Sequence, residues 1–384
     1  MHRDTGVRSL QESGSLDLRT KLVFALVTTS LLSTLLLGLF SYYASEKMVR
    51  EMTARQLDAL VDARAEDLAL IGQAWLEEVR LIRSRTELRR QLARYAEAPD
   101  MATAAVKRIL EDAEASVDVV KRVTVFTPQG DRIADAGKAD FPASPPASGE
   151  AGGLSFTRYV KTKTGSVDAV LHSPVSLDGQ LVGHMEAVVD IGGILELTRS
   201  YRGLGATGET LLVAEMEPGI LTVLNQTRHG GVPTGDLAIS AATPAMLAAL
   251  SGDTAVLEGV EDYRGETVWA ASRRLNNVDT GLIVKIDEQE QLAPLIALRG
   301  RMIDVALSVG ALAILAGTLL GFFLSRPIRN LDSVVHRIKD GDIQLRADVS
   351  GEDEVSFLAE SFNELMDRVY IKRSREDTAG QSDG

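Results

Sequence analysis

The sequence predicts an α+β membrane protein with two transmembrane helices, a folded region between them and a short helical segment after the second. Three observations support this prediction. Two long runs without a charged residue lie near the two ends of the chain, strand-like segments fill its middle, and heptad spacing follows the second run. A chain of 384 residues has room for two or three domains.

The charge-free runs are residues 22–43 and 305–324, and they predict transmembrane spans at 22–43 and 303–324, with Asp304 at the outer end of the second. Each has the ~20 residues that a helix with a rise of 1.5 Å per residue needs to cross a hydrocarbon core of roughly 30 Å. A buried core helix would usually carry a polar stripe, and neither run has one. A cleaved signal peptide is the alternative for the first run. That run is longer than a typical signal, and Tyr42 and Tyr43 make a poor cleavage site.

Basic residues near the spans predict the orientation in a bacterial cytoplasmic (inner) membrane. The residues expected inside are Arg19, Lys21, Arg326 and Arg329. Arg299 and Arg301 weaken the asymmetry, but two spans still place both termini on one side. We therefore expect a cytoplasmic N-terminal segment at 1–21, an extracytoplasmic region at 44–300 and a cytoplasmic C-terminus.

Composition argues against several classes of protein. The net charge is −13, without a basic run that would bind nucleic acid. Because the chain has no cysteine, the outer region must fold on its apolar core without disulfides. The five histidines lack metal-ligand spacing, so we expect no metal and no cofactor.

Enzyme motifs are also missing from the sequence. It contains no G-x-S-x-G and no phosphate-binding P-loop motif. Residues 203–208 match G-x-G-x-x-G, but a helical run precedes them and a strand-like run follows, which reverses the order of a dinucleotide site. We interpret these glycines as a linker and expect a protein that is not an enzyme.

A long helix is predicted to follow the first span. Apolar residues recur at steps of three or four from Leu57 to Ile82, which predicts continuous helix from Ala44 to about Arg83. Such a helix is too long for an ordinary globular domain and is typical of a stalk. Ser84 and Glu87 have capping-box spacing, which predicts a new helix starting there.

The pattern then changes to strands that form two similar mixed modules, at about 101–200 and about 205–290. The strand-like runs are 120–126, 132–134, 155–162, 166–173, 183–190, 208–215, 221–226, 256–263, 267–275 and 281–287. A short helix is expected at 243–250. Each module should carry an antiparallel sheet, so the pair forms a weak internal repeat.

The order of small motifs in these modules resembles a double Cache domain, the extracytoplasmic small-molecule sensor of receptors and kinases. The motifs are Ser173-Pro174-Val175, Asp178-Gly179, Val182-Gly183, Val189-Asp190-Ile191, Gly205 to Thr210, Asp262 to Gly265 and Leu282 to Asp287. The resemblance covers about 44–300. It implies two PAS-like modules beside the stalk helix.

The segment 325–373 resembles a HAMP domain, a parallel helical bundle that relays signals. Its motifs are Ser325 to Leu331, Gly341-Asp342-Ile343, Asp353-Glu354 and Phe362-Asn363; Ser356 stands where the family often has glycine. Pro327 suits a helix start because its missing N–H costs nothing there. Heptad seams run through Ile328, Leu331, Val335 and Ile338, and through Val355, Leu358, Phe362, Leu365 and Val369. Burying both seams requires a homodimer, and Glu354 is expected to act at the start of the second helix.

A ligand site is implied by the Cache resemblance. Asp190 occupies the position of an acidic residue that holds an amine in such domains, and Arg158, Tyr159 and His172 lie on neighbouring predicted strands. Alternatively Asp190 caps the following helix and the others are surface residues. The ligand is expected to be a small molecule of unknown class.

The leading hypothesis is a transmembrane receptor that relays to a separate cytoplasmic kinase, phosphatase or cyclase. The alternatives are the sensory part of a histidine kinase, diguanylate cyclase, phosphatase or chemoreceptor, and a membrane-tethered periplasmic binding protein that transmits nothing. A disordered tail is expected at 374–384, where the sequence is polar.

Overall fold

The computed structural model describes residues 18–145, 153–230, 236–254, 256–349 and 354–380. Most of the predicted N-terminal segment and the last four residues of the predicted tail lie outside these ranges. The chain divides into two compact units, one at 46–294 and the other made of 1–45 with 295–384. Each unit is described by itself.

Helix α1 runs from Leu18 to Arg83 and ends where the sequence predicted. One stripe of its apolar residues, from Leu57 to Ile82 at steps of three, four or seven, is buried and faces a core. The predicted capping box is wrong. The Ser84 hydroxyl donates to the carbonyl of Leu81 in the turn before it, and helix α2, Thr86–Ala93, begins without a side-chain cap.

The distal module comprises α3, five strands and α4. The bounds are α3 Pro99–Glu114, β1 Val120–Phe126, β2 Arg132–Gly137, β3 Ser155–Lys161, β4 Val167–Leu177, β5 Gln180–Asp190 and α4 Gly192–Thr198. The strands form one antiparallel sheet in the order β2-β1-β5-β4-β3.

The proximal module repeats this order. Its bounds are β6 Glu209–Glu217, β7 Ile220–Val223, β8 Asp236–Ala238, a 3₁₀ turn Ile239–Ala241, α5 Pro244–Ser251, β9 Val256–Glu261, β10 Thr267–Leu275 and β11 Thr280–Asp287. The antiparallel sheet has the order β8-β7-β6-β11-β10-β9. Apart from β8, which the sequence did not predict, each strand has a counterpart at the same place in the distal sheet. The internal repeat is therefore present in the fold.

One apolar core joins both modules to α1. Alternate strand residues of the two sheets pack against the buried stripe of α1, and α2 and α3 extend this core beside the distal sheet. A second, smaller core lies between α5 and the opposite face of the proximal sheet. Since side chains alternate between the two faces of a strand, the face of the distal sheet away from α1 is left for another use.

Within the part of the chain that the structure describes, two helices are long and apolar enough to cross a membrane, judged by length and composition alone. They are residues Thr20–Arg83 of α1, and α6, Glu288–Lys339. The predicted helix start at Pro327 is wrong, because α6 is continuous through it. Because proline lacks an N–H, Pro327 removes one backbone hydrogen bond, and the long helix continues through it.

Helix α7 runs from Glu354 to Gly380. It begins at the predicted Glu354, and it continues into the segment 374–384 for which we predicted a disordered tail. Lys372, Arg373, Arg375 and Glu376 are good helix formers, which favours extension of the helix over a disordered end.

Candidate functional site

The distal sheet carries charged side chains on the face away from α1. Arg122 on β1, His172 on β4 and Glu186 on β5 all lie on this face, and all three are buried. The neighbouring residues on each strand face the core with α1. A buried charge is costly unless it is paired, so the arrangement of these three residues decides whether the face is stable.

Glu186 is the centre of this cluster. Its Oε1 accepts a hydrogen bond of 2.8 Å from Arg122 Nη2, and its Oε2 lies 3.3 Å from His172 Nε2. The backbone N–H of Ser144 donates to the same Oε2 at 3.1 Å. Burial alone would raise the pKa of Glu186, but the hydrogen bonds from His172, Ser144 and Arg122 outweigh it and hold that pKa below its ordinary value. Glu186 is therefore an ionised acceptor.

The segment after β2 covers the cluster. Arg122 Nη1 donates to the carbonyl of Phe141 at 2.5 Å, and its guanidinium lies 5.1 Å from the centroid of the Phe141 ring. Arg158 on β3 donates to the Ser144 hydroxyl at 2.7 Å and lies 3.8 Å from Glu186. The backbone at Phe141 and Ser144 thus packs against Arg122 and Glu186.

Two buried polar atoms on β1 have no hydrogen-bond partner among the residues that the structure describes. They are the hydroxyl Oγ1 of Thr124, which is 0% exposed, and Nε of Arg122. Thr124 lies directly opposite Glu186 in the β1–β5 register, so both orphan atoms belong to the same face. Buried donors and acceptors are nearly always satisfied, and such atoms indicate a place for a ligand or an ordered water.

A second charged group lies at the end of the same sheet. Lys121 Nζ contacts Asp168 at 2.6 Å and Asp190 at 2.9 Å, and Asp190 Oδ1 accepts from the backbone N–H of Gly192 at 2.6 Å. Burial tends to raise the pKa of Asp190, but the bonds from Lys121 and Gly192 dominate and lower it. The carboxylate of Asp190 therefore has two internal partners, one of them at the start of α4.

The structure brings together only part of the predicted ligand site. Arg158 and His172 lie beside Glu186, whereas Asp190 lies in the Lys121 group. Tyr159 is on the other face: it is buried in the core with α1, and its hydroxyl is 2.7 Å from that of Thr280 in the proximal module. Arg158 and Tyr159 are adjacent in a strand, and adjacent strand residues point to opposite faces, so the structure does not bring these two side chains together.

Sequence analysis missed Arg122, Thr124 and Glu186. Their signal was present in part, because Arg122 precedes the core residue Val123, and Glu186 lies between the core residues Met185 and Ala187. In a buried strand, a charged residue that points to the second face of the sheet, the face away from α1, indicates a site where the charge is paired.

The proximal module also buries charges on the face away from α1, but these charges satisfy one another. Lys285 Nζ contacts Glu209 at 2.8 Å and also contacts Asp262, and all three side chains are at most 3% exposed. The Tyr263 hydroxyl donates to Glu209 at 2.7 Å, and its ring lies 4.2 Å from Lys285 Nζ. Burial and then Glu209 raise the pKa of Tyr263, so its hydroxyl stays protonated.

The loop between the modules is tied to the first turn of α6. The carboxylate of Glu290 accepts from the N–H groups of Ala206 and Thr207, each at 2.8 Å, and from the Thr207 hydroxyl at 2.5 Å. Gly205 has a positive φ of 64°, and a Cβ there would lie 2.2 Å from Glu290. The glycines of this G-x-G-x-x-G therefore fit a linker around a carboxylate of the protein itself.

In the C-terminal unit, α7 packs through one stripe and leaves another open. Ser356, Ala359 and Met366 are buried, and the Asn363 side chain exchanges two hydrogen bonds with the backbone of Ala347 in the connector, at 2.7 and 2.8 Å. The predicted seam residues Leu358 and Leu365 are more than half exposed. Phe362 is half-buried.

The first predicted seam is also incompletely covered. Ile328 is exposed, and Leu331 is half-buried. Pro327 and Leu331 line a cleft of about 260 Å³ together with connector and α7 residues, among them Ala347 and Ala359. The inner faces of α6 and α7 thus enclose a space that one copy of the chain does not fill.

Comparison with known proteins identifies a HAMP domain at residues 319–370, which confirms the resemblance found at 325–373. No match was found among curated proteins.

Solved structures with a similar arrangement of elements are sensor domains. The ligand-binding domain of the Pseudomonas fluorescens chemoreceptor CtaA in complex with L-isoleucine has 16% identity and a TM-score of 0.43, covering 65% of this chain and 99% of that one. The ligand-binding domain of the Campylobacter jejuni chemoreceptor Tlp3 in complex with L-norvaline has 10% identity and a TM-score of 0.45, with coverages of 64% and 94%. An extracellular domain assigned to a histidine kinase, mmHK1S-Z2, has 15% identity and a TM-score of 0.41, with coverages of 64% and 99%.

Proposed function

We propose that this chain is a homodimeric transmembrane receptor. It binds a small extracytoplasmic ligand on the second face of the distal sheet and relays binding through its HAMP domain to a separate cytoplasmic partner. The observation that carries the proposal is the HAMP match at 319–370, which begins inside the apolar helix α6. A HAMP domain at the end of such a helix is typical of signal relay, and the same helix starts in the folded region.

The membrane placement rests on the two apolar helices. Both pass the length and hydropathy requirement of a span, and the flanking basic residues favour cytoplasmic termini. Residues 46–294 then lie outside as one folded unit, and the HAMP domain lies inside.

The chemistry of the distal face favours a ligand with a carboxylate. Arg122 and Arg158 bring two permanent positive charges to Glu186, so the cluster has an excess of positive charge. Thr124 and Arg122 supply the unpartnered donors that a carboxylate needs. Asp168 and Asp190 lie at the far end of the same face, where an ammonium could replace Lys121 as their partner. A small organic acid or an amino acid meets these requirements.

A thermal-shift screen of organic acids, amines and amino acids tests this with the full chain in nanodiscs. Binding stabilises by about 2.7 kcal/mol at a ligand concentration of 100 Kd. Arg158→Gln should weaken the hit at least about tenfold, because it removes a charged donor from the face. Tyr159→Phe is the matched control, because the side chain of Tyr159, next to Arg158 in β3, points to the face that packs on α1. This variant should leave the affinity unchanged. If both variants lose affinity equally, or if neither loses affinity, the proposed site is rejected.

Dimerisation explains the open seams of the HAMP domain. Leu358, Leu365 and Val369 are exposed at heptad spacing on α7, and a second copy would bury them in a four-helix bundle. Since the chain has no cysteine, single cysteines can be introduced without background. Crosslinking between subunits should peak at Leu358 and Leu365. Peaks at Arg337 or Asp367 would instead favour a membrane-tethered binding protein without relay.

The second candidate function is the sensory part of a longer signalling protein, such as a kinase or cyclase. The helical course of α7 to Gly380 favours it, because a helix that leaves a HAMP domain can continue into an output domain. An in-frame output domain directly downstream in the gene would decide for it, and a separate neighbouring kinase or phosphatase gene would decide for the receptor.

A further inference from the structure

A cavity separate from the distal site lies between α1, the end of α4 and β6, the first strand of the proximal module. Its volume is about 220 Å³, and its walls include Leu60, Arg64 and Leu68 of α1, Leu197 of α4 and Thr210 of β6. A drug-sized ligand needs about 300 Å³ or more, whereas one water occupies about 30 Å³. The cavity therefore suits a molecule with only a few non-hydrogen atoms.

Arg64 brings a positive charge to this cavity. Its two Nη groups donate to the carbonyls of Leu197 and Ser200, at 3.1 and 2.5 Å, and so hold the end of α4. This role leaves Nε, which is buried and has no partner among the described residues. Burial lowers the pKa of Arg64, and the charge of Asp67 raises it by a smaller amount.

Thr210 supplies an independent sign of a ligand. The residue is 2% exposed, it lines the cavity, and its hydroxyl has no partner within the described ranges. A buried hydroxyl without a hydrogen-bond partner destabilises the protein, and a bound acceptor would remove that cost. The hydrogen bonds from Arg64 to the end of α4 do not account for the unpartnered hydroxyl, because Thr210 belongs to β6 of the proximal module.

The charges and the apolar walls together define the ligand class. Arg64 and Arg202 face a single carboxylate, Asp67, among the lining residues, so an anion is favoured over a cation. Arg64 and Asp67 do not form an ion pair with each other in the described part of the chain. Leu60, Leu68 and Leu197 present apolar surface that would cover a short alkyl chain.

We propose that this cavity binds a short-chain monocarboxylate, whose carboxylate accepts from Arg64 and Thr210 and whose alkyl chain packs on the leucines. The site is separate from the proposed distal site. It lies where the stalk helix meets the junction of the two modules, so an occupant contacts both.

Calorimetric titration of the full chain in nanodiscs with sodium butyrate tests the proposal. A ligand of this size should bind with a Kd of about a millimolar. Thr210→Val should weaken binding about tenfold, because it removes one donor to a charged group and keeps the shape of the side chain. Ala63→Leu places a larger side chain at the cavity wall and should abolish binding. Butylammonium, the matched cation, should not bind.

Two further measurements separate this proposal from misfolding and from the distal site. Thr210→Val loses no internal hydrogen bond, so without butyrate it should melt at or above the temperature of the parent. Arg158→Gln should leave butyrate binding unchanged while it weakens the distal ligand. Butyrate binding that resists Thr210→Val and Ala63→Leu, equal binding of butylammonium, or no butyrate binding at all would overturn the proposal and leave the distal site standing.

Discussion

The two modules share strand order and a common core with α1, yet they use the second face of the sheet in opposite ways. In the proximal module, α5 fills this face with an apolar core, and Lys285, Glu209 and Asp262 neutralise one another beside it. In the distal module, a loop covers a polar face that contains the orphan atoms of Arg122 and Thr124.

This difference indicates which of the two sheets would be stabilised by a ligand on its second face. A face whose polar atoms are all paired gains nothing from a ligand, whereas a face with unsatisfied donors is stabilised by one. Among the described residues, the second face of the proximal sheet has no orphan side-chain atom. We therefore expect the distal face, rather than the second face of the proximal sheet, to be the one that a ligand stabilises.

The largest expected effect comes from breaking the proximal ion group. Lys285→Met removes the cation and leaves Glu209 and Asp262 buried without it, which should destabilise the chain by about 3–5 kcal/mol in urea unfolding. Ligand affinity of the distal site, measured at a temperature where the variant is folded, should not change. A loss below about 1 kcal/mol would show that this group is not a structural element.

A smaller effect of opposite sign is expected for Thr124. Thr124→Val replaces an unsatisfied buried hydroxyl with a methyl group, so the ligand-free protein should gain up to about 1–3 kcal/mol and lose affinity for the distal ligand. The matched control is Thr222→Val in the proximal sheet, because the Thr222 hydroxyl is buried but donates to Asp236 at 2.9 Å. That control should lose about 1 kcal/mol. Equal shifts of the melting temperature in both variants would remove the contrast between the modules.

Acid should weaken the distal cluster. The folded-state pKa of Glu186 is below its ordinary value of 4.5, so its stabilising contribution is complete above that pH and is lost as the pH falls through the folded-state pKa. Glu186→Gln should therefore reduce the drop in melting temperature between neutral pH and about pH 3.5. The exposed Glu97→Gln should leave that drop unchanged. An identical drop in the parent and in Glu186→Gln would contradict the assigned role.

The smallest effect is expected for Asp190. Its side chain is 46% exposed, and Lys121 keeps Asp168 as a partner when Asp190 is removed. Asp190→Ala should cost less than about 1 kcal/mol. If its affinity for the distal ligand is also unchanged, the predicted amine-binding role of Asp190 is wrong and Glu186 alone carries the acidic function of the site.

Most elements could be predicted from the sequence because their signals are local. The α1 stripe up to Ile82, the strand pattern of each module and the heptads of α7 are periodicities that a short window contains. Strand β8 and the continuous course of α6 through Pro327 could not be predicted this way. Short strands and helix continuity depend on neighbours that pair with them or precede them.

The candidate site was predicted less well, since it depends on contacts between distant segments. Glu186 becomes a centre only because Arg122 lies 64 residues earlier and Ser144 lies on the covering loop. Nothing near Glu186 in the sequence specifies these partners. Asp190 was singled out instead because it lies at the end of a strand, which is a local feature. In the structure its carboxylate pairs with Lys121 and accepts from the N–H of Gly192.

The placement of α1 also sets the order in which the outer unit can fold. Thr53 of α1 bonds to Gln291 across 238 residues of sequence, and Asp58 pairs with Arg273 across 215. Contacts of such long range form slowly, because the intervening loop must be closed first. The apolar stripe of α1 is synthesised long before β10 and β11, whose apolar residues complete the same core. We therefore expect docking of α1 to be the late, rate-limiting step of folding, with the nascent helix dependent on a chaperone or on its own dimerisation until then.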